Sequence, residues 1–178
     1  ALAVTTSASG AEYTLTAQKD AAAQDLIYQH QSVNAANAGA VAVEMGHAYS
    51  KLSFLATAGN GYTGAANLTQ VQITGGIYAT GTLNMVDGKV DPVGTATLTL
   101  AAGEKALVIP MAGQPTIAVT CTIDGKEFTA NIKADTMPSL LAGVEYEITL
   151  TVVGQEAVIS SVKEVPWTTT KVDGGTIF

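Results

Sequence analysis

The sequence predicts an all-β protein of the sandwich type, and three observations carry that expectation. Apolar and polar residues alternate with period 2 in short runs that recur along the chain. Asp-Gly and Asn-Gly dipeptides mark turns between those runs. Helix signals are few. Only residues 20–26, Asp-Ala-Ala-Ala-Gln-Asp-Leu, read as one or two helical turns, with Asp20 as the cap.

Taken in order, strands are expected at residues 2–6, 12–17, 40–45 and 51–57, then at 69–74 and 77–85. Further strands are expected at 95–100, 105–110, 116–123 and 127–133, and the last two at 145–153 and 157–165. The strand at 145–153 shows the pattern most clearly. Tyr146, Ile148, Leu150 and Val152 share one face, and Glu145, Glu147, Thr149 and Thr151 the other, so one side meets a core and the other meets water. Asp124-Gly125 reads as a two-residue type I′ hairpin, and Asp87-Gly88 as a second use of the same device. Asn60-Gly61 marks a loop, and Pro138 and Gly143 bracket the connection into residue 145. Residues 33–39, rich in Ala, Asn and Gly, read as a linker. The expected organisation is therefore an N-terminal β segment at 1–31 and a sandwich at 32–178 with an extended tail at 168–178.

Composition narrows the function classes. At 178 residues the chain suits one domain, and roughly 70% of its unfolded surface can be buried, so neither disulfides nor metals are needed for stability. Hydrophobic residues make up 47% and charged residues 13%, about half the ~25% usual in soluble domains, which argues against disorder. The net charge is −7 and all 8 basic residues are lysines, a poor set for neutralising phosphates, so nucleic acid is an unsuitable partner. No apolar run approaches the ~18–20 residues that span a bilayer. The start, Ala-Leu-Ala-Val-Thr-Thr, has neither a basic region nor a long apolar one, so a cytoplasmic chain or an already processed one is expected.

Catalytic and metal chemistry find little support. Cys121, the one cysteine, lies in the β-branched run Thr-Ile-Ala-Val-Thr-Cys-Thr-Ile and reads as a buried, inert thiol. His47 and His30 have no ligand spacing, and His47 reads as structural, capping a turn or bonding to backbone. Neither a nucleophile elbow nor a phosphate-cradling loop occurs. Glu145 and Glu147 stand about 7 Å apart on one strand face, a spacing of glycosidase size, but their Thr-rich face reads as plain solvent exposure. Asp87 with Asp91, and Asp20 with Asp25, match no calcium loop. No enzyme, metal or cofactor is expected.

Several segments, in order, resemble the second half of a fimbrillin, the type V pilin family of Bacteroidota. Gln24-Asp25-Leu26-Ile27-Tyr28 resembles the segment that closes the family's N-terminal domain. Residues 41–54, with the core His47-Ala48-Tyr49-Ser50-Lys51-Leu52, resemble the strand-turn-strand that opens its C-terminal domain. Gly81-Thr82-Leu83-Asn84, Asp87-Gly88, residues 141–150 and Val165-Pro166-Trp167 resemble later strands and turns. The resemblance covers residues 24–170. It implies a transthyretin-like antiparallel β-sandwich, exported as a lipoprotein precursor and carried on a cell-surface fimbria attached to the outer membrane. It also implies cleavage after an arginine and polymerisation by donor-strand exchange, with neighbouring pilin subunits as partners and host or bacterial surfaces as adhesion ligands. A chain without arginine offers such a protease no second site. Family members run to about twice this length, so residues 1–31 are either the remnant of a first domain or part of a reduced single sandwich.

Within that frame, Val165, Trp167, Val172, Ile177 and Phe178 are the expected polymerisation strand. Taken alone, Trp167 reads as a plug at the sandwich edge. Asp135-Thr136-Met137 resembles the tripeptide at which Bacteroidota O-glycosylate exported proteins, making Thr136 a candidate acceptor. Two other readings remain open: a tip or anchor subunit, and a glycan-binding adhesion module using Tyr62 and Tyr78.

Overall fold

The computed structural model describes residues 4–7, 10–21, 24–29, 45–113 and 116–167. Fifteen strands cross these residues, and the described part contains no helix. They run β1 (Val4–Ser7), β2 (Gly10–Thr16), β3 (Gln18–Lys19), β4 (Ile27–Tyr28), β5 (Gly46–His47), β6 (Ser50–Ala58), β7 (Leu68–Ile77) and β8 (Thr80–Asn84). After these come β9 (Val90–Val93), β10 (Ala96–Ala101), β11 (Ala106–Val108), β12 (Ile117–Ile123), β13 (Lys126–Ile132), β14 (Val144–Val153) and β15 (Glu156–Pro166). Two sheets, ordered β10-β7-β12-β13 and β15-β14-β6-β11-β3, supply the inward side chains of the main core.

Alternation places that core. Along β12, Ile117, Val119, Cys121 and Ile123 are buried while the residues between them are partly exposed. Along β14, Tyr146, Ile148, Leu150 and Val152 are fully buried. They meet Leu52 and Phe54 of β6 and Val71 and Ile73 of β7 in one cluster. Burial pushes the Cys121 thiol up to about 11, which keeps it protonated and unreactive.

A four-stranded sheet, β1-β2-β8-β9, overhangs one end of the sandwich. Its strands continue into the sandwich after short breaks: Ala17 separates β2 from β3, Tyr78 and Ala79 separate β7 from β8, and Gly94 and Thr95 separate β9 from β10. The joint is held by Ala17 N–H to Ala79 O at 2.9 Å and Ala79 N–H to Gly94 O at 3.4 Å. A second core fills the space beneath, built from Tyr13, Leu15, Ala48, Tyr49, Leu83, Leu107 and Ile109. β11 is buried throughout, with Ala106 and Val108 turned to the main core and Leu107 to the second. This is why its run Ala-Leu-Val lacks polar alternation.

Several expectations are corrected. Residues 20–26 form no helix among those described, only a turn closed by Gln24 N–H to Ala21 O at 2.9 Å. Asp20 does not cap it: its N–H donates to Lys105 O and its carboxylate pairs with Lys51 at 2.8 Å. The strand expected at 77–85 is divided, Ile77 ending β7 and residues 80–84 forming β8. β9 was not anticipated because Pro92 lies within it, and an edge strand tolerates proline. The Asp124-Gly125 hairpin stands, with φ of 50° and 75°. The Asp87-Gly88 turn is not a second one: only Gly88 has positive φ, and Asn84 and Lys89 close a longer loop. The sheets are not wholly antiparallel, since β6 and β14 pair in parallel. Such a pair needs a long crossover, supplied here by the strands between them. The expected strand at 40–45 and the linker at 33–39 fall almost wholly outside the described residues.

Candidate assembly interface

Among the described residues β15 is an edge strand, paired only with β14 along Glu156–Pro166. The last described strand ends one residue before Trp167, and the geometry there is specific. Trp167 N–H donates to Gly143 O at 2.9 Å, and Gly143 N–H donates to Tyr49 O at 2.9 Å, so three segments are tied in series. The Trp167 indole stacks on the His47 imidazole with ring centroids 3.7 Å apart and planes at 8°. Lys51 Nζ lies 3.5 Å from the indole centroid, a cation–π contact. Each polar partner has its own carboxylate: His47 Nδ1 is 2.6 Å from Asp25, and Lys51 Nζ is 2.8 Å from Asp20. Beyond those bonds, His47 Nε2 and Asp25 Oδ1 are buried with no hydrogen-bond partner among the described residues.

Of the residues expected on the polymerisation strand, Val165 lies in β15 opposite Glu145, and Trp167 packs on the second core. Val172, Ile177 and Phe178 lie outside the described residues. His47 is structural, but it works through a carboxylate and an aromatic ring as well as through the backbone pairing of β5 with β4. Sequence reasoning missed this cluster because Asp25, His47 and Lys51 are far from Trp167 in sequence. The structure makes the reason plain: Lys51, the second residue of β6, is 8% exposed. A buried lysine demands a partner.

Glu145 and Glu147 are not plain solvent-facing residues. The Glu145 side chain is 12% exposed and accepts from Lys105 Nζ at 2.6 Å, and Glu147 pairs with Lys163 at 3.4 Å. Each carboxylate is thus matched to its own lysine. Among the described residues no group of three His, Cys, Asp or Glu side chains is placed to hold a metal ion. No helix among them is long and apolar enough to cross a membrane.

Tyr62 and Tyr78 do different jobs. Tyr62 donates to Asp124 Oδ2 at 2.7 Å, and the same carboxylate accepts the N–H groups of Ala66 and Asn67, each at 2.9 Å. The Tyr62 hydroxyl first, and then these amides, hold the Asp124 carboxyl below its usual 3.8. A depressed folded-state value means stability that is present above the unfolded value and lost as pH falls through the folded one. Wild type is therefore expected to lose, as pH falls below the usual carboxylate value, part of its urea resistance that Asp124→Asn lacks, so their midpoints converge with acidification. Asparagine tolerates the positive φ at this position, which isolates the charge. A constant gap across the acid range would contradict this account.

Tyr78 lines a cleft of about 410 Å³ with Tyr28, Val90, Pro92, Met111 and Leu140, beside the open edge of β9. Thr136 sits on an exposed turn between β13 and β14, its hydroxyl 3.1 Å from Asp135 Oδ1, while Met137 is buried beneath it.

Comparison with known proteins agrees with this architecture. Residues 3–167 match the fimbrillin-like family, and the chain belongs to it. Among solved structures it is similar to a candidate cell adhesion protein of Bacteroides uniformis, with 25% identity and a TM-score of 0.57 over 70% of this chain and 52% of that one. A candidate cell adhesion protein of Bacteroides ovatus shares the fold at 18% identity and a TM-score of 0.50, over 70% and 47%. The chain thus spans about half the length of these structures. No curated protein matches it.

Proposed function

We propose that this chain is a non-catalytic subunit of a cell-surface fimbria that supports adhesion and polymerises by donating residues 168–178 as a strand to its neighbour. The observation that carries this reading is the family match across residues 3–167, which takes in all fifteen described strands. Val165 and Trp167, engaged in their own chain, form the root of the donor, and Val172, Ile177 and Phe178 its inserted part. Strand addition would satisfy main-chain groups along an open edge, and buried apolar side chains would contribute roughly 25 cal/mol per Å². The cleft beside β9 is the receiving surface this reading selects, since its lining is largely apolar and an edge strand of the described sheet borders it.

The same reading makes the sandwich transthyretin-like. Its support is one sheet of four strands and one of five whose inward side chains share a core, with β6 paired in parallel with β14. Residues 1–31 belong on this reading to one reduced unit, because β2 pairs with β8 and β3 with β11. Thr136 is proposed as an O-glycan acceptor, on the strength of its exposed turn; the intact mass of protein from its own host, with and without Thr136→Ala, tests that.

Assembly is tested by negative-stain electron microscopy and unheated SDS gels of residues 1–178 and 1–167. Filaments or a ladder from the full chain, lost on truncation, are expected. Monomers from both would overturn the polymerisation reading and favour a tip, an anchor or a free adhesion module.

A further inference from the structure

The cluster around Trp167 carries more than anchorage. Three features set it apart from an ordinary plug. The indole is gripped by a stacked imidazole and an ammonium group, not enclosed by apolar side chains alone. Among the described residues His47 Nε2 and Asp25 Oδ1 are buried without hydrogen-bond partners, and water reaching the imidazole once the indole moved away would satisfy Nε2. The strands beneath are short as described: β4 and β5 have two residues each. The closed arrangement thus contains an unfavourable element that opening relieves, and little secondary structure need break for it to open.

We propose that His47 and Lys51 form a latch on Trp167 that holds the root of the C-terminal segment to its own chain. Opening of this latch, with the sandwich intact, precedes donation of the segment. The inference rests on the assembly reading above and adds to it the step that makes the donor available. His47 and Lys51 are positioning residues in this scheme, each oriented by its own carboxylate, Asp25 and Asp20. The series of backbone bonds from Tyr49 through Gly143 to Trp167 gives the latch its closed register. Breaking the last of them leaves β15 paired with β14 up to Pro166.

Trp167 is the only tryptophan in the chain, so its fluorescence reports this site alone. The experiment compares full-length wild type with His47→Gln and Lys51→Met, following emission, acrylamide quenching and the time course of filament formation. Both variants are expected to shift emission to the red, raise quenching several-fold and form filaments sooner. A role confined to stability would leave the rate of assembly unchanged or reduce it, and that result overturns the latch. Wild type that never assembles, with the fluorescence changes still present, overturns the assembly reading, and the latch proposal falls with it.

The unmodified chain gives a second test by amide hydrogen exchange. The Trp167 and Gly143 amides are expected to exchange through local opening, many-fold faster than Ile148 and Leu150 in the same sheet. Equal rates would mean that Trp167 is released only when the sandwich unfolds, which contradicts the proposal whatever the variants do.

Discussion

Gly76→Ala is expected to lower the thermal unfolding midpoint by ~10 °C, although it adds a single methyl group. Gly76 has a φ of 84°, where an L side chain is strained by about 1–2 kcal/mol. The larger effect is steric. A Cβ at this position would stand 2.4 Å from Thr116 O and 2.6 Å from Ile117 Cα, and both are backbone atoms that no rotamer change can move. The glycine sits where β7 bends from the sandwich toward the overhanging sheet, next to a register shift opposite Ala118 and Val119. Relief would have to come from moving β12 away from β7, in the middle of a sheet. Together these effects amount to about 3–5 kcal/mol. The neighbouring Gly75 is the control, because a Cβ there meets nothing within 4 Å. Circular-dichroism melts of Gly75→Ala and Gly76→Ala should therefore differ sharply. Similar midpoints for the two would contradict the local geometry.

Tyr146→Ala is expected to cost ~3–5 kcal/mol in urea unfolding, and Tyr146→Phe about 1 kcal/mol. The ring is fully buried near the start of β14, among side chains of both sheets. Its truncation removes a large apolar surface and leaves a cavity that surrounding strands cannot close. The phenylalanine variant keeps the packing but leaves the Leu141 N–H, which donates to Tyr146 Oη at 3.0 Å, without its acceptor. Burial raises the Tyr146 phenol above its usual 10.0, so it stays protonated through neutral pH. Equal losses in both variants would mean that the hydrogen bond, rather than the core volume, dominates this position.

Much of the fold was legible in the sequence because most of its strands are half-buried, and half-burial writes a period-2 pattern. β12 and β14 are the clearest cases, with alternate residues buried along each. Legibility failed where another force set the backbone. β3, β4 and β5 are two-residue pairings whose existence depends on tertiary neighbours, so no local pattern marks them. The helical reading of 20–26 failed because Asp20 and Asp25 are committed to Lys51 and His47 across the fold. Solvent exposure was assigned to Glu145 from alternation alone, but alternation cannot see Lys105 approaching that face. At the candidate interface the sequence singled out Trp167 but not its partners. The contacts of Trp167 with His47 and Lys51 join positions more than a hundred residues apart, and a single sequence gives no view of such pairs.

The account turns on where residues 168–178 go in the assembled state. Electron cryomicroscopy of filaments grown from the full chain tests this most directly. The predicted map has that segment of one subunit extended as a strand against the next, with Val172, Ile177 and Phe178 inserted in an apolar cleft. Filaments in which the segment stays on its own subunit, or in which a different strand crosses between subunits, would contradict it.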